Sequence, residues 1–145
     1  MKCYAITHKG LVRESNEDCC FIPERGENFA LVCDGMGGHL AGEVASRTAI
    51  DSMRRSLDGA NPGQEMLREA IREANIDVYR LAQDKPEYTG MGTTLTAIWW
   101  TDEKVLMGHV GDSRLYKFEG GKLTHLSHDH TYVQELVDLG EISEA

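Results

Sequence analysis

The sequence predicts an α+β domain in which helices pack on a sheet, and three observations lead there. Short apolar segments bounded by polar turns open the chain. Two stretches of helical periodicity occupy its middle, and β-rich runs return from Thr93 onward. Strands, two helices and then more strands make a layered arrangement, because a sheet and an amphipathic helix each bury their apolar side against the other.

Cys3 to Thr7, Cys19 to Ile22 and Phe29 to Cys33 read as the first strands, the last of them buried. After a glycine-rich stretch from Asp34 to Gly42, the residues Val44, Ala45, Thr48, Ala49, Ser52, Met53 and Leu57 fall on one helical stripe. Asn61-Pro62-Gly63-Gln64 predicts the next helix start, with Asn61 as N-cap and Pro62 at the first position. Leu67, Ala70, Ile71, Ala74, Val78 and Leu81 continue that helix. Strands follow at Thr94 to Thr101, Lys104 to Val110, Leu115 to Glu119 and Lys122 to Leu126, with Gly120-Gly121 as a hairpin turn between the last two. The run Ala97-Ile98-Trp99-Trp100 predicts strands covered on both faces. Tyr132, Val133, Leu136, Val137 and Leu139 form a third helix stopped by Gly140.

The chain has 145 residues and a formal net charge of −9, with 41% hydrophobic and 27% charged residues. That length suits one domain with a real core. The excess of Asp and Glu argues against nucleic acid and anionic membrane surfaces as partners, since both are gripped mainly by Lys and Arg. Cys3, Cys19, Cys20 and Cys33 form no CxxC pair, and no leader-like or bilayer-length apolar run is present, which points to a reducing cytoplasm.

Three clusters could carry chemistry. Asp34-Gly35-Met36-Gly37-Gly38-His39 follows a buried strand and precedes a helix, a way to deliver a carboxylate to a site edge with backbone open to a ligand. A capped glycine turn is the plainer reading. Arg13-Glu14-Ser15-Asn16-Glu17-Asp18 is either a solvated charged turn or a metal-shell carboxylate pair beside a phosphate clamp. Gly111-Asp112-Ser113-Arg114 reads in itself as a β-turn with Arg114 exposed.

Taken in order, these clusters with Gly92-Thr93-Thr94 and Leu126-Ser127-His128-Asp129-His130-Thr131 resemble the metal-dependent serine/threonine protein phosphatases of the PPM (type 2C) family, in its bacterial form. The resemblance runs from Ile6 to Ile142. It implies a four-layer α-β-β-α sandwich with a binuclear Mn²⁺ or Mg²⁺ site at one edge of the sheets, and a third, weaker ion. It implies that Asp34 bridges the metals, that the Gly35 carbonyl binds one of them, and that Glu17 and Asp18 act largely through water. Asp112 would serve the third ion, Arg13 would hold the substrate phosphate, and His39 would be the general acid. Thr93 and Thr94 read as a structural strand start. The implied partners are phosphorylated protein substrates of a serine/threonine kinase.

Two further Asp motifs of the family, an Asp-Gly strand end and a Gly-x-Asp-Asn turn, do not follow Gly111–Arg114. Residues 1–145 therefore read as the N-terminal portion of one such domain, C-terminally truncated, weak or inactive alone and prone to self-association through uncovered sheet. The alternative is a non-catalytic phosphoprotein-binding module. Two other chemistries have nominal matches. Cys19 to Arg25 has the Cys-x5-Arg spacing of thiolate phosphatases, but Pro23 removes a donor and Glu24 repels an anion, so the cysteines read as strand residues. His125 to His130 could suggest a transition-metal site but fits capping and surface histidines better.

Overall fold

The computed structural model describes residues 2–24, 26–38 and 40–143. Strands β1 (Asp18–Phe21) and β2 (Phe29–Met36) precede helices α1 (Ala41–Leu57) and α2 (Gln64–Asp84). Strands β3 (Gly92–Thr93), β4 (Leu95–Trp100) and β5 (Val105–Val110) complete the main sheet. A hairpin of β6 (Tyr116–Glu119) and β7 (Lys122–His125) leads to helix α3 (Tyr132–Asp138). The five-stranded sheet is antiparallel, in the order β1-β2-β4-β5, with β3 also paired to β2.

Strand alternation sorts the sheet into two unlike faces. Phe29, Leu31 and Cys33 of β2 share one face with Leu95, Ala97 and Trp99 of β4, and all six are buried. Onto that face α1 sets Ala45, Ala49, Met53 and Leu57, and α2 sets Leu67, Ala70, Ala74 and Val78. Small residues in the α1 stripe bring that helix close to the sheet, whereas α2 packs mainly on α1 and meets the sheet chiefly at β5. Trp99 is fully buried, and its indole N–H donates to Asn28 Oδ1 at 3.0 Å. Asn28 in turn donates to the Trp100 carbonyl at 2.7 Å, so one amide satisfies two polar groups at the C-terminal end of β4.

The opposite face, with Cys20, Val32, Ile98 and Met107, carries no helix layer; Val32 is 47% exposed. The expectation of strands covered on both faces is thus corrected: the apolar run of β4 reports two apolar faces, of which this chain packs one.

Two local readings are corrected as well. Cys3 to Thr7 forms no strand, because an extended segment becomes one only by pairing and none of the described strands is paired to it. Helix α2 starts at Gln64 behind Gly63, with no side-chain cap. Leu67 N–H bonds to the Gly63 carbonyl at 3.0 Å, which places the first helical turn after Pro62 and leaves Asn61 outside it. The other turn chemistry follows the sequence. Gly120 and Gly121 take φ of 57° and 80°, the pair of positive angles that a tight hairpin needs. Thr131 caps α3 by accepting from Gln134 N, and Gly140 ends it at φ 74°. No helix among the described residues is long and apolar enough to cross a membrane.

Candidate metal centre

The site begins where β1 and β2 run side by side. Asp18 and Asp34 are register partners on these strands and share the uncovered face with Cys20 and Val32. Next to them lies a cavity of about 220 Å³, lined also by Ile6, Thr7 and Ser113. Burial raises the Asp34 carboxyl above its ordinary value, and Asp18 raises it further as a like charge and as a hydrogen-bond partner. Asp112 adds a third push in the same direction, while Arg13 opposes it. Asp34 thus feels two other carboxylates, a repulsion that a bound cation would relieve.

Asp34 is fixed by its backbone. Its N–H donates to Thr94 Oγ1 at 2.9 Å, and its carbonyl accepts from Thr94 N–H at 2.9 Å and from Thr93 Oγ1 at 3.0 Å. Thr94 Oγ1 also meets Ser113 Oγ at 2.7 Å, tying Asp34 to the turn that holds Asp112. Gly111 makes that approach feasible: at φ 103°, a Cβ on it would stand 2.6 Å from Thr94 Cγ2. Thr94 and Ser113 are positioning residues that sequence reasoning did not assign to the site. Their signal was hydroxyls flanking two of the motifs, which by itself also fits a strand start and a turn.

Glu17 points the other way. A Cβ on Gly42 would lie 2.8 Å from Glu17 Cδ, so the carboxyl rests on the first turn of α1, where the helix dipole favours an anion. Arg13 Nη1 pairs with Glu17 Oε2 at 2.9 Å, with the Arg13 side chain 73% exposed. The Glu17 carbonyl accepts from Gly35 N–H at 3.2 Å and from Ser46 Oγ at 2.7 Å. Gly35 therefore sits at a three-way junction of β2, α1 and the loop before β1. His39 lies outside the described residues.

The Gly111–Arg114 turn is braced from the loop before α3. Arg114 grips both carboxylate oxygens of Asp129, with Nε at 3.1 Å from Oδ1 and Nη2 at 2.6 Å from Oδ2, and this holds the Asp129 carboxyl below its usual range. His130 N–H donates to the Gly111 carbonyl at 2.8 Å, and Gly111 N–H donates to His130 Nδ1 at 3.2 Å. His128 bonds Asp138 at 2.8 Å. These histidines are structural ties, as expected for capping and surface residues.

The donors near Asp34 are oxygens, the chemistry that hard divalent cations take. Among the described residues no three His, Cys, Asp or Glu side chains converge enough to hold one unaided. A thiolate mechanism is disfavoured: burial raises the Cys19 thiol and pushes Cys33 up to about 12, the opposite of an activated nucleophile. Arg25 of the Cys-x5-Arg spacing lies outside the described residues.

A family model for protein phosphatase 2C matches residues 9–142. The chain belongs to the protein phosphatase 2C family. It is 41% identical over 142 residues to the serine/threonine protein phosphatase PstP of Mycobacterium tuberculosis, covering 96% of this chain and 27% of that protein. It is 38% identical over 145 residues to the serine/threonine phosphatase stp of Listeria monocytogenes, covering 94% of this chain and 58% of that one. The PstP catalytic domain, solved with two manganese ions, superposes with a TM-score of 0.83 at 40% identity, over 94% of this chain and 59% of that one. The α+β architecture is thus that of PPM phosphatase catalytic domains, of which this 2C chain spans a little over half.

Proposed function

We propose that residues 1–145 are the N-terminal portion of one phosphatase domain, and that the whole protein hydrolyses phosphoserine and phosphothreonine in cytoplasmic proteins modified by a serine/threonine kinase. The observation that carries this reading is Asp34 itself. It stands near the end of β2, in register with Asp18 and within the field of Asp112, and burial together with these two carboxylates raises it. Such a carboxylate cluster gains most from a divalent cation.

When bound, a pair of manganese or magnesium ions, with a third weaker one, supplies an activated water and offsets charge at phosphorus. The chain's own residues carry the remaining tasks. Asp34 and the Gly35 carbonyl would hold the ions, Glu17 and Asp18 would contribute through water, and Asp112 would serve the third. Arg13 uses one nitrogen on Glu17 and is exposed enough to offer its other N–H groups to the phosphate. His39 protonates the departing serine or threonine oxygen. Later segments of the domain supply the flap and the remaining ligands, and the uncovered sheet face makes the chain alone prone to self-association.

One observation favours a second reading, a non-catalytic module that binds phosphoproteins: the described residues do not converge three ligands. Phosphate release from a phosphoserine peptide in Mn²⁺ decides between them. This chain is expected to be nearly inactive, and a chain continuing through the length of its relatives to be active and to lose activity on Asp34→Ala. Full activity of the long form without Asp34 refutes the metal assignment, and an inactive long form supports the binding module.

A further inference from the structure

On the helix side of the sheet, two cavities of about 720 and 520 Å³ adjoin one another and share Arg68 and Ile71. Together they form one trough along α2, running from Gln64 past β5 to Gly92 and Thr93. Helix α2 has 21 residues, so the trough follows an element about 30 Å long.

Three features identify what the trough accepts. Its floor is apolar because small or aliphatic residues line it, among them Ala74, Val78, Ala82 and Leu95. Its fixed charges are only those of Arg68 and Arg72, in a chain with 24 Asp and Glu residues against 15 Lys and Arg. Both arginines are 69% exposed and meet only exposed glutamates of their own helix, at 3.9 and 3.5 Å. Finally, among the described residues β5 pairs with β4 alone, so one row of its backbone groups faces no described strand. An edge strand beside an apolar trough is the geometry that captures an extended peptide.

The trough also reaches the candidate metal centre. Its end is lined by Met36 and Thr93. Met36 follows Asp34 by two strand residues, about 7 Å. Thr93 Oγ1 bonds the Asp34 carbonyl at 3.0 Å. The trough end therefore adjoins the end of β2 that carries Asp34.

We propose that the trough between α2 and the β5 edge binds an extended segment of the phosphorylated protein substrate, apolar side chains inward and acidic side chains on Arg68 and Arg72. This assignment rests on the phosphatase reading for the identity of the occupant, but its test does not require turnover.

The experiment is fluorescence anisotropy on the 145-residue chain in chelator, with labelled peptides of about twelve residues, long enough at about 3.3 Å per residue to fill the trough. One peptide alternates apolar and acidic residues around a phosphoserine, and its twin carries lysine for each acid. The acidic peptide is expected to bind more tightly, with affinity falling as salt rises. Reversing both charges, Arg68→Glu with Arg72→Glu, is expected to weaken it about tenfold and to favour the lysine twin. Asn75→Trp, at an exposed rim position, blocks both peptides without entering the core. Arg80→Glu, exposed on the same helix and outside the trough, changes nothing.

Equal binding of the two peptides, or wild-type binding by Asn75→Trp and the double reversal, overturns the proposal. So does sedimentation in which the reversal dissolves a dimer while peptide binding is unchanged, since a second copy is then the occupant. A chain that binds as expected, in a protein whose long form shows no hydrolysis, keeps the trough and discards the phosphatase reading.

Discussion

Gly35→Ala tests the junction that sets Asp34 against α1. A Cβ at this position would stand 2.0 Å from the Gly42 carbonyl oxygen, 2.5 Å from the Gly42 carbonyl carbon and 2.8 Å from the Glu17 carbonyl oxygen. All three are backbone atoms, so no side chain can swing aside. Restoring an ordinary contact of 3.4 Å at the nearest atom moves the first turn of α1 by 1.4 Å relative to β2. Overpacking of well-filled interiors costs about 1–3 kcal/mol, and a backbone obstacle belongs at the upper end. The same movement strains the bonds from Gly35 N–H and Ser46 Oγ to the Glu17 carbonyl, each worth about 1 kcal/mol. The expected cost is about 3–4 kcal/mol, a large share of a total stability of about 5–15 kcal/mol. Urea denaturation measures it as a lower midpoint at unchanged slope. Gly38→Ala is the matched control: at φ 72° with no atom within 4 Å of its Cβ, it carries only left-handed strain, about 1–2 kcal/mol. A Gly35→Ala variant within 1 kcal/mol of the wild type, or one less affected than Gly38→Ala, refutes the steric account.

Two further outcomes follow from the same geometry. Asp34 has a raised folded-state pKa, so its contribution to stability is present below its unfolded value and is lost as pH rises through the folded value. Asp34→Asn should therefore raise the metal-free melting temperature at neutral pH, by about 2–4 °C if the relieved repulsion is about 1 kcal/mol, and should flatten the acid-side pH dependence. A melting temperature lowered by the amide would contradict the repulsion. Asn28→Ala leaves the buried Trp99 N–H without its 3.0 Å partner and the Trp100 carbonyl without its 2.7 Å donor. The expected loss is about 2–3 kcal/mol by urea denaturation, and a loss under 1 kcal/mol would show that water replaces the amide.

What could be read in the chain beforehand divides by the range of the interaction that decides it. The Gly120-Gly121 hairpin and the ends of α3 depend on atoms a few residues apart, and the structure has them where the residues put them. The α2 start also looked local, yet Gly63 heads that helix, because Asn61 and Gly63 compete for one role with Pro62 between them. Cys3 to Thr7 has strand composition but no partner, and pairing is a property of two segments. Asp34, Asp18 and Asp112 stood out as motif residues, whereas the hydroxyl ties through Thr94 and Ser113 depend on contacts across 60 and 19 residues.

The same division explains why Glu17 and Asp18, adjacent in sequence, take different neighbours. Asp18 opens β1, whereas Glu17 is the last residue of the loop before it, so the two side chains leave different backbone frames. Asp18 goes to the uncovered face and raises Asp34, while Glu17 turns to the α1 N-terminus and Arg13. A paired-carboxylate motif thus supplies one group to the Asp34 cluster and one to the junction that positions it. Arg13 is coupled to both, since it bonds Glu17 and also lowers Asp34. A phosphate on the free N–H groups of Arg13 would bring its charge beside Glu17, so phosphate affinity and the Glu17 junction would be linked through one side chain.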